Sequence, residues 1–234
     1  MSRDLIYGFM IVLIIGFILF NSSSTKAHRP LNTDEAGTRA NPIIVSDHKI
    51  SWAAYNTLDS NKDVDYYQFE AEKGDNIYAS IVIPVIDRLE NFNPEFALIG
   101  PGLDNDYAGL DSSEIKNRLE IKDTEGVIVI KYKVQRSGTF FEPFTQTTYW
   151  EKQEATINAP VRGKYHLAVF SNQNSQGKYV LSIGRKEEWG FQDLFRYPKI
   201  WWDVRMFTEN EKSTYVITGL VAAAAMFLIY RVGK

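Results

Sequence analysis

The chain has 234 residues, with 26 Lys+Arg against 29 Asp+Glu, so no basic excess points to nucleic acid. It contains no cysteine, which excludes a disulfide framework, thiolate zinc sites, iron–sulfur clusters and a Cys nucleophile. Apolar residues make up 44% and aromatic residues 14%, an average globular composition that conceals two concentrated apolar blocks, one at each end.

The first block, Leu5–Phe20 (LIYGFMIVLIIGFILF), carries no charge and follows Arg3. As a helix it would span about 24 Å, short of the ~30 Å hydrocarbon core of a bilayer. The polar stretch NSSSTKA comes next, with Thr25 and Ala27 at the −3 and −1 positions of a small-residue cleavage site. Residues 1–27 therefore read as a signal peptide or a retained signal anchor, and the middle of the chain is expected outside the cytoplasm. Cleavage after Ala27 would make His28 the N-terminus, where imidazole and α-amine form a nitrogen pair suited to copper, with His48 completing it. Residues 28–42 read as a linker.

From residue 43 to 186 short alternating runs are punctuated by Gly, Pro, Asn and Asp. The best strands are Asp65–Phe69, Ile77–Ile83, Val127–Val134, Lys164–Phe170 and Tyr179–Ile183. Glu72–Asp75 and Asn172–Gly177 read as hairpin connections between neighbouring strands, and a short helix is predicted near Ser112–Leu119. Many short strands at this spacing predict an all-β, antiparallel sandwich. Asp59, Asn61, Asp63 and Glu70 occupy positions 1, 3, 5 and 12 of an EF-hand count, yet Val64 stands where the loop needs Gly. What remains is a looser calcium site using Asp59, Asn61, Asp63 or Asp65, set against a solvated turn. A second acidic loop holds Asp104, Asn105, Asp106 and Asp111.

Phe140–Trp150 (FFEPFTQTTYW) is the candidate binding surface. Phe141, Glu142, Phe144, Tyr149 and Trp150 combine rings with polar handles, which suits a peptide or a glycan. The alternative is that these rings fold back and plug the end of the sandwich. Residues 187–212 then hold Trp189, Trp201 and Trp202 among basic side chains, a pattern of two short amphipathic helices parted by Pro198, lying in a membrane interface or capping the domain. Residues 213–230 predict a transmembrane helix bracketed by Tyr215 and Tyr230, with Gly219 and Ala223 as a small-xxx-small pair. Arg231 and Lys234 in the tail, residues 231–234, place the C-terminus in the cytoplasm by the positive-inside rule.

Three segments carry a family resemblance. Asp63–Ile83 (DVDYYQFEAEKGDNIYASIVI), Phe92–Pro101 (FNPEFALIGP) and the paired Gly-x-Tyr strands Gly163–Val169 and Gly177–Ile183 resemble the bacterial pre-peptidase C-terminal domain over about residues 60–184. The resemblance implies a β-sandwich of jelly-roll type that is a non-catalytic targeting or substrate-binding module. The long acidic stretch Leu103–Gly126 and the aromatic insertion Ser137–Glu151 depart from that pattern.

Catalytic signatures are scarce. The three histidines, His28, His48 and His166, are far apart in the chain, and there is no G-x-S-x-G elbow. Alternation turns His166 away from Tyr165, Leu167 and Val169. A carboxylate pair of Glu142 with Glu151 or Glu154 ranks last among the readings, having no positional signature. The sequence thus predicts a membrane-anchored, non-catalytic module for a protein or glycan partner, with lipid around its helix. A metal-handling accessory, with copper at His28 or calcium at the acidic loops, is the alternative; otherwise no cofactor is expected.

Overall fold

The computed structural model describes residues 28–33, 37–60, 62–132, 138–172, 175–188 and 195–232. Leu5–Phe20, Asn61 and Trp189 therefore lie outside the described residues. What is described falls into two compact units. One is a β-sandwich; the other joins Glu142–Thr147 to the segment from Arg196 onward.

The sandwich strands are β1 (Arg29–Leu31), β2 (Ile43–Ile44), β3 (Trp52–Leu58), β4 (Val64–Ala71), β5 (Asn76–Pro84), β6 (Glu95–Gly100), β7 (Gly126–Ile130), β8 (Thr139–Glu142), β9 (Thr147–Asn158), β10 (Gly163–Phe170) and β11 (Gly177–Ile183). They form a six-stranded sheet, β1-β3-β11-β5-β9-β8, and a five-stranded sheet, β2-β4-β10-β6-β7. The central ladders are antiparallel, but β1 runs parallel to β3 and β2 parallel to β4. Both sheets are therefore mixed, a correction to the purely antiparallel expectation. The parallel partners come from residues 28–42 and the segment just after them, which the alternation rule passes over because two- and three-residue strands show no period.

A second correction concerns the connections. Glu72–Asp75 is a tight turn, with the Asp75 amide donating to the Glu72 carbonyl at 3.0 Å and Gly74 at φ 88. Yet β4 and β5 belong to different sheets, as do β10 and β11. These turns pass the chain across the sandwich rather than close hairpins. A sequence shows where a strand ends, but not which of two facing layers the next strand joins.

Alternation sends Tyr67, Phe69, Leu98, Leu167, Tyr179 and Leu181 between the sheets, where each is almost fully buried. Removing a side chain of this kind from water is worth about 1.5–3 kcal/mol. The opposite face of the five-stranded sheet is also covered. Tyr66, Ile99, Val127 and Phe170 lie there under Ile115 and Leu119, contributed by helix α1 (Ser112–Arg118) and the residue after it. The Asp111 carboxylate caps α1 by accepting from the Glu114 amide at 2.8 Å. The acidic stretch 103–126 is thus a lid, fastened by a buried Arg39–Glu125 ion pair at 2.6 Å. Close packing leaves no room at Gly100, where an added Cβ would lie 2.2 Å from the Tyr165 ring.

In the second unit α2 (Tyr197–Phe207) starts with Pro198 in its first turn, so the proline opens this helix, while the first of the two expected short helices falls largely on residues 189–194, outside the described residues. Glu209 at φ 60 turns the chain, and α3 (Glu211–Val232) follows. Over Glu211–Arg231 its mean hydropathy is 1.8 and only 6% of that window is buried. It is the one helix among the described residues long and apolar enough to cross a membrane.

Candidate functional site

The aromatic segment singled out in the sequence does not form a single exposed surface. Phe141 lies on edge strand β8 and is 54% exposed, with Phe140 also exposed beside it. Tyr149 is buried on β9, and Trp150 packs against the sandwich core. Glu142 and Phe144 belong to the other unit.

There the sequence EPFTQT folds into a turn organised by one carboxylate. Glu142 accepts from the Phe144 amide at 2.9 Å, the Thr145 amide at 2.7 Å and the Thr145 hydroxyl. Pro143 supplies the fixed φ that begins such a turn, and Gln146 takes a left-handed φ of 54. The Phe144 ring packs against Tyr197 of α2, centroids 5.4 Å apart. Arg205, 3% exposed, joins the pieces. It donates to the Thr145 carbonyl at 2.7 Å, the Thr214 hydroxyl at 2.9 Å and the Ser213 hydroxyl at 2.5 Å, and its guanidinium lies 4.9 Å from the Trp201 ring centroid. Burial pulls its affinity for the proton down from the usual arginine value. All these acceptors are neutral oxygens, so the fork serves geometry rather than charge neutralisation. Sequence reading counted Arg205 with the basic side chains around the tryptophans and missed its burial. Its only signal was a cation on the apolar side of a short helix, beside Val204.

A cluster of aromatic rings lies at the start of α3. Trp202 meets Tyr215 edge-on at 5.6 Å, and Trp201 and Trp202 are half-buried. Beyond them Val216, Leu220, Val221, Met226, Phe227 and Ile229 are all exposed, and Tyr230 closes the run. An added Cβ at Gly219 would meet nothing within 4 Å.

The metal candidates have other engagements. Asp63 accepts from the Asp59 amide at 3.0 Å, closing the local turn. Asp65 points into the core and accepts from Tyr179 at 2.6 Å. The His28 imidazole meets the Ser51 hydroxyl at 2.6 Å, whereas His48 is buried against Phe69 with its Nε2 3.7 Å from Asp75. Among the described residues no three His, Asp or Glu side chains are grouped to hold a metal ion. Of the carboxylates weighed for hydrolysis, Glu142 organises the turn and Glu154 accepts from Tyr78 at 3.2 Å. Glu151 is exposed on β9. His166 faces away from the inner core as alternation requires, but beneath the lid, where burial pushes its pKa down to about 4.

Neither a family model nor a curated protein matches this sequence. Among solved structures the chain is similar to PliG, a periplasmic inhibitor of g-type lysozyme, from Salmonella Typhimurium: 19% identity, 61% of this chain and 97% of that one, TM-score 0.33. It is similar to PliG of Aeromonas hydrophila at 13% identity, covering 57% and 84%, with a TM-score of 0.31. The pre-peptidase C-terminal domain of a Bacillus anthracis collagenase, the resemblance read from the sequence, follows at 16% identity, 68% and 97% coverage and a TM-score of 0.29. At these identities and TM-scores none of them transfers an activity to this chain.

Proposed function

We propose that this protein is a membrane-anchored, extracytoplasmic sandwich of jelly-roll type that acts as a non-catalytic binding module at the bilayer surface. The observation that carries the reading is α3: an uncharged run from Val216 to Ile229 whose side chains lie exposed in the chain by itself. Six large apolar residues in contact with water would be an aggregation hazard, and hydrocarbon removes it. Trp201, Trp202, Tyr215 and Tyr230 bracket the run where aromatic rings settle at an interface, and Arg231 stands at the cytoplasmic end. Residues 1–27 serve as the export signal or a second anchor. The strand orders β3-β11-β5-β9 and β4-β10-β6-β7, with the chain changing sheet at each step from β3 to β6 and again from β9 to β11, support the jelly-roll reading. A protein or glycan partner engages the exposed edge strand β8 through Phe140 and Phe141, and a neighbouring helix approaches α3 at Gly219 and Ala223.

Alkaline carbonate extraction of membranes tests the anchor. The full-length protein is expected to stay with the pellet, and a chain ending before Glu211 to enter the supernatant. Release of the full-length chain would overturn the reading. A photo-crosslinking residue in place of Phe141 should capture the partner, and the same residue in place of the buried Tyr179 should not.

A further inference from the structure

We propose that the layer between the lid 103–126 and the outer face of the five-stranded sheet is a binding site for a small carboxylate. The site is separate from the membrane reading and from strand β8. Three side chains from three stretches of the chain each bring a polar atom into this layer. Arg39 Nη1, Tyr66 Oη and His166 Nδ1 have no hydrogen-bond partner among the described residues. Each of the three is more than nine-tenths buried, Arg39 at 6% exposed, Tyr66 at 2% and His166 at 7%. Folded proteins pair nearly all such atoms, so three in one layer point to an occupant.

The ladder explains why they meet. Tyr66 of β4 lies opposite Ala168 of β10, so His166, two residues earlier, is its diagonal neighbour on the same face. Diagonal neighbours stand about 7–8 Å apart, a gap that one carboxylate bridges with a donor on each oxygen. The Tyr66 amide donates to the Gly37 carbonyl at 2.6 Å, which holds the segment 37–39 beside β4. The Arg39 guanidinium then lies 5.6 Å from the Tyr66 ring centroid. Glu125 takes Nη2 of Arg39 with both its oxygens at 2.6 Å and leaves Nη1 over.

All three atoms can donate. Nη1 has no other role, and burial raises Tyr66 so that its hydroxyl keeps its proton. His166, which burial pushes down to about 4, is a neutral imidazole that can carry its N–H at Nδ1. A set of donors fits a ligand that only accepts; a water molecule would bring two protons needing acceptors of their own. Charge agrees with this choice. Arg39, Arg118, Lys122 and Lys164 act on Tyr66 and His166 against Glu120 and Glu125 alone. Lys122 on the lid and Lys164 on β10 are exposed, so they draw an anion to the margin of the lid. Once bound to Arg39, Tyr66 and His166, the ligand ties the sheet to the loop above it.

The experiment is a titration of the full-length protein in detergent micelles with sodium acetate, sodium chloride holding the ionic strength constant. The ring resonances of His166 and Tyr66 should shift and saturate, and hydrogen exchange of the Ile115 and Leu119 amides should slow as acetate binds. Tyr66→Phe removes a single oxygen and should weaken acetate about tenfold or more, the size of one hydrogen bond to a charged group. Lys178→Gln, on β11 of the other sheet, should change nothing. Absence of saturation, shifts that chloride reproduces, or equal affinity in Tyr66→Phe would each overturn the site. Should Tyr66→Phe not fold, the wild-type exchange decides: slower exchange under the lid with acetate than with chloride supports the site, and equal exchange overturns it.

Discussion

In the sandwich the bulky side chains Tyr67, Tyr165, Phe96 and Phe170 are inside and the charged ones mostly outside, whereas in α3 Leu220, Phe227 and Ile229 face outward along nearly the whole helix. The same apolar chemistry therefore serves opposite ends. In one unit it makes the fold by leaving water; in the other it is left exposed after folding. Polar groups follow the same division. The buried Arg39 of the sandwich is matched by a carboxylate, while the buried Arg205 of the helical unit is matched only by hydroxyl and carbonyl oxygens.

The largest expected effect sharpens this contrast with one substitution in each unit. Leu167→Ala should destabilise the sandwich by about 2–5 kcal/mol, read as a fall in denaturant midpoint. Leu220→Ala should leave that midpoint within about 0.5 kcal/mol, because the residue is largely exposed in the folded chain. Equal losses would break the division into two units. Next comes Glu125→Ala, which strands Arg39 in a buried site and should cost about 3 kcal/mol, with the lid around α1 opening first in hydrogen exchange. Arg205→Met should cost about 2 kcal/mol in the helical unit. Its effect is read as faster hydrogen exchange of the Phe144 and Thr145 amides, which Glu142 holds in the turn that Arg205 fastens. Smallest is Asp111→Ala, which removes the cap of α1 at about 1 kcal/mol and should shift only the exchange of that helix.

How much was legible in the sequence differs between the units for a physical reason. The strands announced themselves because alternation, Gly-x-Tyr pairs and Gly-Asp turns are local, and Asp65–Phe69 and Tyr179–Ile183 fall inside β4 and β11. Asp65, Tyr67 and Phe69 share a face by alternation alone, so the inward carboxylate was readable in principle. Sheet membership was not, since the turn Glu72–Asp75 has the same residues whether the chain doubles back or crosses over. Neither was the role of 103–126, whose acidic composition reads as a solvated loop although Ile115 and Leu119 are fully buried. The aromatic segment misled because composition shows rings without showing which way a strand turns them. Tyr149 went inward and Phe141 outward.

The account stands on α3 crossing a bilayer with the sandwich on the outer side. Single cysteines introduced into the natural cysteine-free background at Lys178 and at Arg231 test it directly, using a membrane-impermeant maleimide on intact cells. Labelling at Lys178 without lysis, and at Arg231 only after lysis, is the predicted result. Labelling of both positions, or of neither, before lysis would contradict it.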